Sequence, residues 1–367
     1  MATIMQDTMF AAAARWFGKS SLAASVAMAA AVALLPLPVH GQDQKAVRLA
    51  PPEKLDGPPL VTCKAWAIAD GRTGELLYGY NQDEKRENAS TTKIMTAHLV
   101  LKLAAENPAV LDEVITFSER ADKTGGSTSD VRAGESLTVG ELLYGLMLPS
   151  GNDASVALAE HFGSRFPSVS GSGKAAATKA AAGGDDAAKA NKNGKPAAGQ
   201  NGKANESGDA AKADNAAEDA YNRFVAEMNR EAARLGMKNS QYKNPHGLSA
   251  PGHGVSARDL LILAHAAMQD PLFRKYVSTR EHKSKLTAAD GSTREITWKN
   301  TNQLLGIAGY DGIKTGTTGP AGACLVSSGR LGDDHLLVAV LGSTSSDARY
   351  VDSRNLYRWA WKQRAEK

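Results

Sequence analysis

The hydrophobic and polar positions of the chain follow two different periods. Short, mostly apolar or alternating runs predict strands, over residues 60–70, 75–80, 283–299 (two strands), 310–318, 323–328 and 335–342. Longer stretches with one apolar face predict helices, over residues 89–103, 142–148, 153–162, 221–235, 259–268 and 355–363. The order is a strand hairpin, a block of helices, a run of strands and a closing helix. This order is typical of an α+β fold in which helices cover an antiparallel sheet.

Local signals indicate where several of these elements begin and end. Thr138 and Glu141 have the spacing of a capping box, which predicts that a helix begins there. Pro149 and Gly236 each follow a helical pattern and predict its end. Asp290-Gly291 lies between two alternating runs and predicts a hairpin turn.

The first 41 residues are typical of an export signal. Arg15 and Lys19 precede an apolar run over 22–35, and small residues before and at Gly41 allow cleavage there. The run is Ala-rich and shorter than the roughly 20 residues that a spanning helix needs. An uncleaved membrane anchor is the alternative. We therefore predict an exported protein of the periplasm or cell envelope.

Composition divides the remainder of the chain. Residues 42–58 are rich in proline and charge and predict a linker. Residues 167–218 repeat Ala, Lys, Gly, Asp and Asn, which offers too little apolar surface to stabilise a packed structure. We predict a disordered insertion there, with a tether to an envelope polyanion as the alternative. A single domain then consists of residues 59–166 and 219–367.

Charge and cysteine content exclude several classes of function. The net charge is +4 and the basic residues are scattered, which gives no indication of nucleic-acid binding. The sequence contains no metal-ligand cluster, phosphate loop or nucleotide fingerprint, so no metal and no cofactor are predicted. The two cysteines, Cys63 and Cys324, each lie in an apolar run. Two residues leave open whether they pair or remain buried free thiols.

The stretch Ser90-Thr91-Thr92-Lys93 carries candidate chemistry. It opens a predicted helix, where positions i and i+3 share a face, so Ser90 and Lys93 point the same way. A serine hydroxyl becomes a nucleophile when a base removes its proton, and a lysine held neutral can be that base. A backbone N–H in the first helical turn is also free to donate. The alternative for this short motif alone is a helix-capping serine with a solvated lysine.

Three further stretches lie at structural junctions. Ser150-Gly151-Asn152 falls in a turn between two predicted helices, where hydroxyl and amide can face one cleft. Lys314-Thr315-Gly316 lies on a strand that places Lys314 and Gly316 on one face. Asn244-Pro245-His246-Gly247-Leu248 is a predicted turn. We expect His246 to have a structural hydrogen-bonding role there, and the alternative is a general base.

The three motifs S-x-x-K, S-x-N and K-T-G, in this order, resemble the acyl-transfer set of penicillin-binding proteins and serine β-lactamases. From about Leu60 to Trp361 the chain is similar to low-molecular-mass penicillin-binding proteins, the D-alanyl-D-alanine carboxypeptidase family typified by penicillin-binding protein 5 (peptidase family S11). The Asn-Pro-His-Gly-Leu turn, residues 299–302 and residues 311–313 also resemble that family. The resemblance implies a β-lactamase/transpeptidase-like fold: a five-stranded antiparallel sheet covered by helices, an all-helical lobe, and an active site between them.

The resemblance also implies a serine peptidase that acts on peptidoglycan stem peptides. Ser90 would be the acyl-ester nucleophile and Lys93 its proton acceptor. Ser150 would relay the proton to the leaving amine, and Asn152 would hold the substrate amide. β-Lactam antibiotics would be covalent inhibitors. We expect a monomer without a nucleic-acid partner.

Other residues would bind the ends of the substrate. Lys314 and Thr315 would bind its terminal carboxylate, and Gly316 would let it approach the backbone. The N–H groups of Ser90 and Thr317 would hold the oxyanion. By resemblance alone, Arg349 would be an arginine on the carboxylate side.

The chain departs from the family in two ways. Members often carry a β-rich second domain and a C-terminal membrane helix, and because this sequence stops soon after Trp361 no C-terminal anchor is expected. Thr317 stands where a histidine or another larger residue is frequent.

A DD-endopeptidase that cleaves cross-links is one alternative function. A class A β-lactamase lacks support, since no E-x-x-L-N stretch follows Ser150. A non-catalytic peptidoglycan-binding protein would not need all the motif residues.

Overall fold

A computed structural model describes residues 57–168 and 206–366, with side chains from residue 215 onward in the second range. The strands are β1 (Ala65–Asp70), β2 (Leu76–Tyr80), β3 (Val114–Thr116), β4 (Ser136–Thr138), β5 (Glu281–Thr287), β6 (Thr293–Lys299), β7 (Tyr310–Thr318), β8 (Gly322–Leu331) and β9 (Asp334–Ser343). The α-helices are α1 (Lys93–Glu106), α2 (Glu119–Asp122), α3 (Val139–Met147), α4 (Asn152–Gly163), α5 (Glu206–Arg234), α6 (Ala257–Met268), α7 (Pro271–Ser278) and α8 (Ala348–Ala365).

Five strands form the central antiparallel sheet, in the order β2-β1-β9-β8-β7. The first strand, β1, pairs with the last strand, β9. The N-terminal hairpin β1–β2 therefore lies beside the C-terminal strands of the same sheet. β7 therefore lies at an edge of this sheet. This α+β arrangement agrees with the fold class that the sequence predicts.

The central sheet separates two apolar cores. Ala65, Ala67 and Ala69 of β1 face the larger core, which contains the helices from α1 to α7. The alternate residues Trp66 and Ile68 face a smaller core beneath α8. Strand side chains alternate between faces, so one strand contributes to both cores.

A second antiparallel sheet has the order β3-β4-β5-β6, and its buried residues, such as Ile115 and Leu137, belong to the larger core with the helices. Its β5–β6 hairpin turns at the predicted Asp290-Gly291, and Gly291 has φ of +81°. Thr138 caps α3 by accepting a hydrogen bond from the Glu141 N–H, as the capping box predicts. The Glu141 carboxylate instead contacts His282 at 2.8 Å, so the reciprocal half of the box is not formed.

Helix α5 begins earlier than the sequence predicts. It starts at Glu206 rather than near Tyr221, so 206–218, the last part of the predicted insertion, is helical. Alanine has the highest helix propensity, and this Ala-rich composition is compatible with helix as well as disorder. The rest of the predicted insertion, from 169 to 205, lies outside the described residues, as do the predicted signal peptide and most of the linker.

Two further predictions concern cysteines and membranes. Cys63 and Cys324 are buried free thiols, which resolves the alternative that the sequence leaves open. In the described part of the chain, no helix combines the length and apolarity needed to cross a bilayer.

Candidate active site

Ser90 lies in a 3-10 turn, Ala89–Thr92, that leads directly into α1. Asn88 holds this turn, because its side-chain amide donates to the hydroxyls of Thr91 (3.0 Å) and Thr92 (3.1 Å). Ala89 has φ of +48°, an uncommon conformation for a residue other than glycine. Ser90 itself is half-buried. The nucleophile candidate therefore stands on a rigid, hydrogen-bonded turn.

A second loop, which contains Gly247, packs against the backbone of the turn that holds Ser90. Gly247, in the predicted Asn-Pro-His-Gly-Leu turn, has φ of +94°, and a Cβ there would lie 1.9 Å from the carbonyl oxygen of Ala89. Only glycine allows this contact between two backbones. The loop thereby fixes the backbone immediately before Ser90.

Lys93 is fully buried and makes three polar contacts. Its Nζ lies 3.0 Å from Ser90 Oγ, 2.6 Å from Asn152 Oδ1 and 2.9 Å from the carbonyl oxygen of His246. The last two groups can only accept hydrogen bonds. A neutral amine has two N–H bonds and one lone pair. Such an amine, with both N–H bonds directed to these acceptors, would direct its lone pair to the Ser90 hydroxyl.

The surroundings favour that neutral amine. Burial lowers the pKa of Lys93 well below its ordinary value, and the nearby ammonium of Lys314 lowers it further. Asp153 acts in the opposite direction but is the weakest of the three influences. Its carboxylate is already occupied by hydrogen bonds from Ser129 and Thr128.

Asn152 is the first residue of α4, and both ends of its amide are engaged. Oδ1 accepts from Lys93, and Nδ2 donates to the Gly125 carbonyl at 2.7 Å. The backbone N–H of Asn152 also donates to the Ser127 carbonyl at 2.7 Å. Asn152 thus orients the lysine amine.

Ser150 lies in the tight turn between α3 and α4 with φ of +73°. Ser127 Oγ donates to its carbonyl at 2.6 Å, which holds the turn. Its own Oγ is buried and has no hydrogen-bond partner among the described residues. Strained backbone and an unsatisfied buried hydroxyl are both unfavourable, and they concentrate at functional sites.

Strand β7 brings the K-T-G residues to the same place. A Cβ at Gly316 would lie 2.7 Å from the Ser90 backbone nitrogen, so the strand packs directly against the serine turn. Lys314 is buried, with Nζ 3.1 Å from the Thr315 carbonyl. Burial, together with the charge of Arg349, lowers the pKa of Lys314 to about 7.

Arg349, at the start of α8, reaches the same strand. Its guanidinium donates to the Gly316 carbonyl at 3.2 Å and to Thr317 Oγ1 at 2.9 Å, whereas its Nε is buried without a partner in the described structure. Thr317 is exposed. Arg349 therefore positions the end of β7.

The structure brings most of the predicted site residues together. Ser90, Lys93 and Asn152 are in direct hydrogen-bond contact, and Gly316 packs on Ser90. Lys314 contributes through its charge. Ser150 is adjacent in sequence to this cluster, but its side chain forms no hydrogen bond with it.

Two contributions were not predicted from the sequence. The carbonyl of His246 accepts from Lys93, while its ring accepts from the Leu248 N–H at 3.2 Å, so its role is structural as expected, and its backbone also serves the site. Burial lowers the pKa of His246 to about 3, so the ring is neutral. Thr301 Oγ1 lies 2.7 Å from Thr315 Oγ1. Only the family-like stretch 299–302 could have indicated Thr301.

The arrangement can perform nucleophilic acyl transfer. A half-exposed hydroxyl faces a buried amine whose pKa is lowered, and two cationic side chains, Lys314 of β7 and Arg349 of α8, lie on the other side of the site. Within residues 57–168 and 206–366, no group of His, Cys, Asp or Glu side chains could hold a metal ion.

Known proteins are similar to this chain in sequence and architecture. The family model Peptidase_S11, described as D-alanyl-D-alanine carboxypeptidase, matches residues 53–168 and 204–345. A D-alanyl-D-alanine carboxypeptidase of Streptomyces sp. (strain K15) is 31% identical over 310 residues, covering 83% of this chain and 88% of that protein. D-alanyl-D-alanine carboxypeptidase DacF of Bacillus subtilis is 29% identical over 301 residues, covering 82% of this chain and 62% of that protein.

Solved structures agree with these relatives. The crystal structure of the Streptomyces K15 DD-transpeptidase has a TM-score of 0.65 and 29% identity, covering 83% of this chain and 99% of that chain. D-alanyl-D-alanine carboxypeptidase DacD of Francisella tularensis has a TM-score of 0.61 and 25% identity, covering 82% of this chain and 70% of that chain. The chain thus spans about three fifths of the Bacillus relative but nearly all of the Streptomyces structure. The present chain belongs to the peptidase S11 family of D-alanyl-D-alanine carboxypeptidases.

Proposed function

We propose that this protein is a serine-type D-Ala-D-Ala carboxypeptidase that acts on peptidoglycan stem peptides through an acyl-enzyme at Ser90. The observation that carries the proposal is the 3.0 Å contact between Ser90 Oγ and the Nζ of a fully buried Lys93. Family membership and the names of the relatives support the same chemistry. Because such substrates lie outside the cytoplasm, the proposal also agrees with the predicted export signal.

In the first step, Lys93 takes the hydroxyl proton as Ser90 Oγ attacks the carbonyl carbon of the penultimate D-alanine. An O–C bond forms and the C–N bond to the last residue breaks. The leaving amine receives a proton through Ser150, whose buried and unpartnered hydroxyl is available for this relay. Water then hydrolyses the ester and regenerates the serine, whereas attack by a peptide amine would give transpeptidation.

Charge and backbone donors hold the substrate in this proposal. The N–H groups of Ser90 and Thr317 bind the developing oxyanion, where loss of one donor typically costs about 10²–10³ in rate. Lys314 and Thr315 bind the terminal carboxylate. Arg349 holds the Gly316–Thr317 backbone in position and adds positive charge.

Reaction with penicillin, followed by mass spectrometry of peptides, tests the assignment. We expect a covalent adduct on the peptide that contains Ser90, and none in Ser90→Ala. Ser249→Ala, a serine that pairs with Glu87 outside the site, is the matched control and should react normally. An adduct on another serine would refute the assignment of the nucleophile. A long-lived adduct favours the peptidase, and rapid penicillin turnover would favour a β-lactamase.

A further inference from the structure

One buried side chain, that of His253, joins the turn that carries Ser90 to the loop that contacts Lys93. Its Nε2 lies 3.1 Å from Thr92 Oγ1, in the turn. Its Nδ1 accepts a hydrogen bond of 3.0 Å from the backbone N–H of Lys243, where the loop begins. His253 therefore contacts both of the segments whose relative position determines the distance between Ser90 and Lys93.

These two contacts determine which ring nitrogen of His253 carries the proton. A backbone N–H can only donate, so Nδ1 contributes its lone pair to the bond with Lys243. Burial, together with the charge of Lys243, lowers the pKa of His253 to about 4, so the ring is neutral at pH 7. The one proton of the neutral ring is therefore on Nε2, which donates it to the Thr92 hydroxyl oxygen.

Thr92 passes this contact on to the whole serine turn. Its hydroxyl also accepts from the side-chain amide of Asn88 at 3.1 Å, and the same amide donates to Thr91 Oγ1 at 3.0 Å. The Thr91 hydroxyl donates to the Asn88 carbonyl at 2.7 Å. All three residues are 0% exposed, so water is not available as a substitute partner. The hydrogen bonds thus continue from His253 across the turn in which Ser90 lies.

The other side of His253 holds the loop that supplies an acceptor to the lysine amine. Lys243 lies shortly before His246, whose carbonyl accepts from Lys93 Nζ at 2.9 Å. The ring of Tyr242 packs edge-on against the His253 ring, with 6.0 Å between the ring centroids. The His253 ring is therefore held on the loop by both a hydrogen bond and an aromatic contact.

Resting on the proposed function, we propose that His253 is a positioning residue for the acylation of Ser90. Its two hydrogen bonds go to Thr92 and Lys243 rather than to a reacting group. Its Nε2–H holds the serine turn against the loop that orients Lys93. Without that N–H the turn would move relative to the loop, and proton transfer from Ser90 to Lys93 would slow. The strand that binds the carboxylate would stay in place.

Two conservative variants separate the two hydrogen bonds. His253→Gln places an amide N–H near the position of Nε2 and can still donate to Thr92. His253→Asn places its amide oxygen near the position of Nδ1, so it can accept from Lys243 but does not reach Thr92. We expect penicillin acylation of Ser90 to stay within about three-fold in the Gln variant and to fall at least about ten-fold in the Asn variant, because a small displacement of a reacting atom reduces the rate sharply.

The dependence of the acylation rate on penicillin concentration distinguishes positioning from binding. In His253→Asn the maximal rate should fall, whereas the concentration that gives half of it should stay unchanged. His335→Asn is the matched control and should acylate normally. His335 is also buried and bonded to a hydroxyl, that of Ser328, but it lies at the opposite end of the central sheet from Gly316.

Thr92→Val tests the same contact from its other side. It should reproduce the loss, and adding His253→Asn to it should cost little more, since both changes remove one shared contact. Should His253→Asn not fold, Thr92→Val and Thr92→Ser answer the same question, because only serine keeps the hydroxyl.

Equal acylation rates in the Gln and Asn variants would overturn the proposal, as would additive losses in the double variant. Rates that simply follow the Tm of each variant would also overturn it, since His253 would then only stabilise the fold. Failure of the proposed function would look different, because the unmodified protein would not be acylated at Ser90 at all.

Discussion

Burial and a neighbouring positive charge act on the pKa of Lys93 in the same direction. Burial removes the water that stabilises an ammonium, and Lys314 adds like-charge repulsion, so both lower the pKa. Two fixed acceptors hold the Lys93 amine 3.0 Å from Ser90 Oγ. In the proposed mechanism, the Ser-Lys pair therefore works without a third acidic residue of the kind found in Ser-His-Asp sites.

The protonation state of Lys314 should affect how tightly a substrate carboxylate binds. Its pKa of about 7 means that the ammonium is present below pH 7 and is lost as the pH rises through that value. We expect KM for a D-Ala-D-Ala peptide to rise about ten-fold from pH 7 to about pH 9, since a charged hydrogen bond to the carboxylate disappears. The C-terminal amide of the same peptide should show a flat KM profile. Parallel profiles for acid and amide would contradict a role for Lys314 in binding the carboxylate.

At the scale of elements, the site depends on four segments that are distant in sequence. The 3-10 turn before α1, the turn before α4, the loop around Gly247 and strand β7 each contribute one surface. Gly247 and Gly316 both let another backbone approach the serine turn. A change in either contact would displace Ser90 without altering any reacting group.

Gly247→Ala tests this dependence. The new Cβ would lie 1.9 Å from the Ala89 oxygen, so the turn must shift, and a displacement near 1 Å can reduce the rate about 10²-fold. We expect at least that loss in penicillin acylation, together with a lower Tm. Gly252→Ala is the matched control, because φ there is +80° but the nearest atom is 3.5 Å away. Equal effects of the two variants would mean that backbone strain alone is responsible.

Local elements were predictable from the sequence because their causes are local. The cap at Thr138 and the turn at Asp290-Gly291 depend on adjacent residues. The three motifs indicated the family, which the family model confirms. The contact of Lys93 with the His246 carbonyl joins residues 153 positions apart and depends on packing rather than on a motif. The start of α5 at Glu206 was not predictable from low apolar content, because alanine favours a helix even where little apolar surface is buried.

At the scale of the whole molecule, one buried carboxylate joins two helices. Glu231 of α5 is 1% exposed and contacts His98 (2.8 Å) and Lys102 (2.7 Å) of α1, and also Arg234. Burial opposes its ionisation, but hydrogen bonds from Arg234, Lys102 and His98 outweigh this and lower its pKa to about 2. Because this pKa is depressed on folding, Glu231 stabilises the fold above its unfolded pKa, and the contribution is lost as the pH falls toward 2.

We therefore expect Glu231→Gln to reduce the free energy of unfolding by about 1–3 kcal/mol at pH 7 and by progressively less below about pH 4. Urea unfolding at several pH values measures the difference. Glu227→Gln is the control, because Glu227 forms a more exposed pair with Arg230 on the same helix and should change little. A loss for Glu231→Gln that is independent of pH would indicate a packing defect instead.

The thiols of Cys63 and Cys324 are both buried and unpaired in the folded chain. Burial raises the pKa of Cys63 to about 12 and that of Cys324 to about 11, so almost no thiolate is present at neutral pH. Oxidants and disulfide exchange act on the thiolate. The native protein should therefore be indifferent to the redox state of its compartment, and only the unfolded chain would be vulnerable to oxidation.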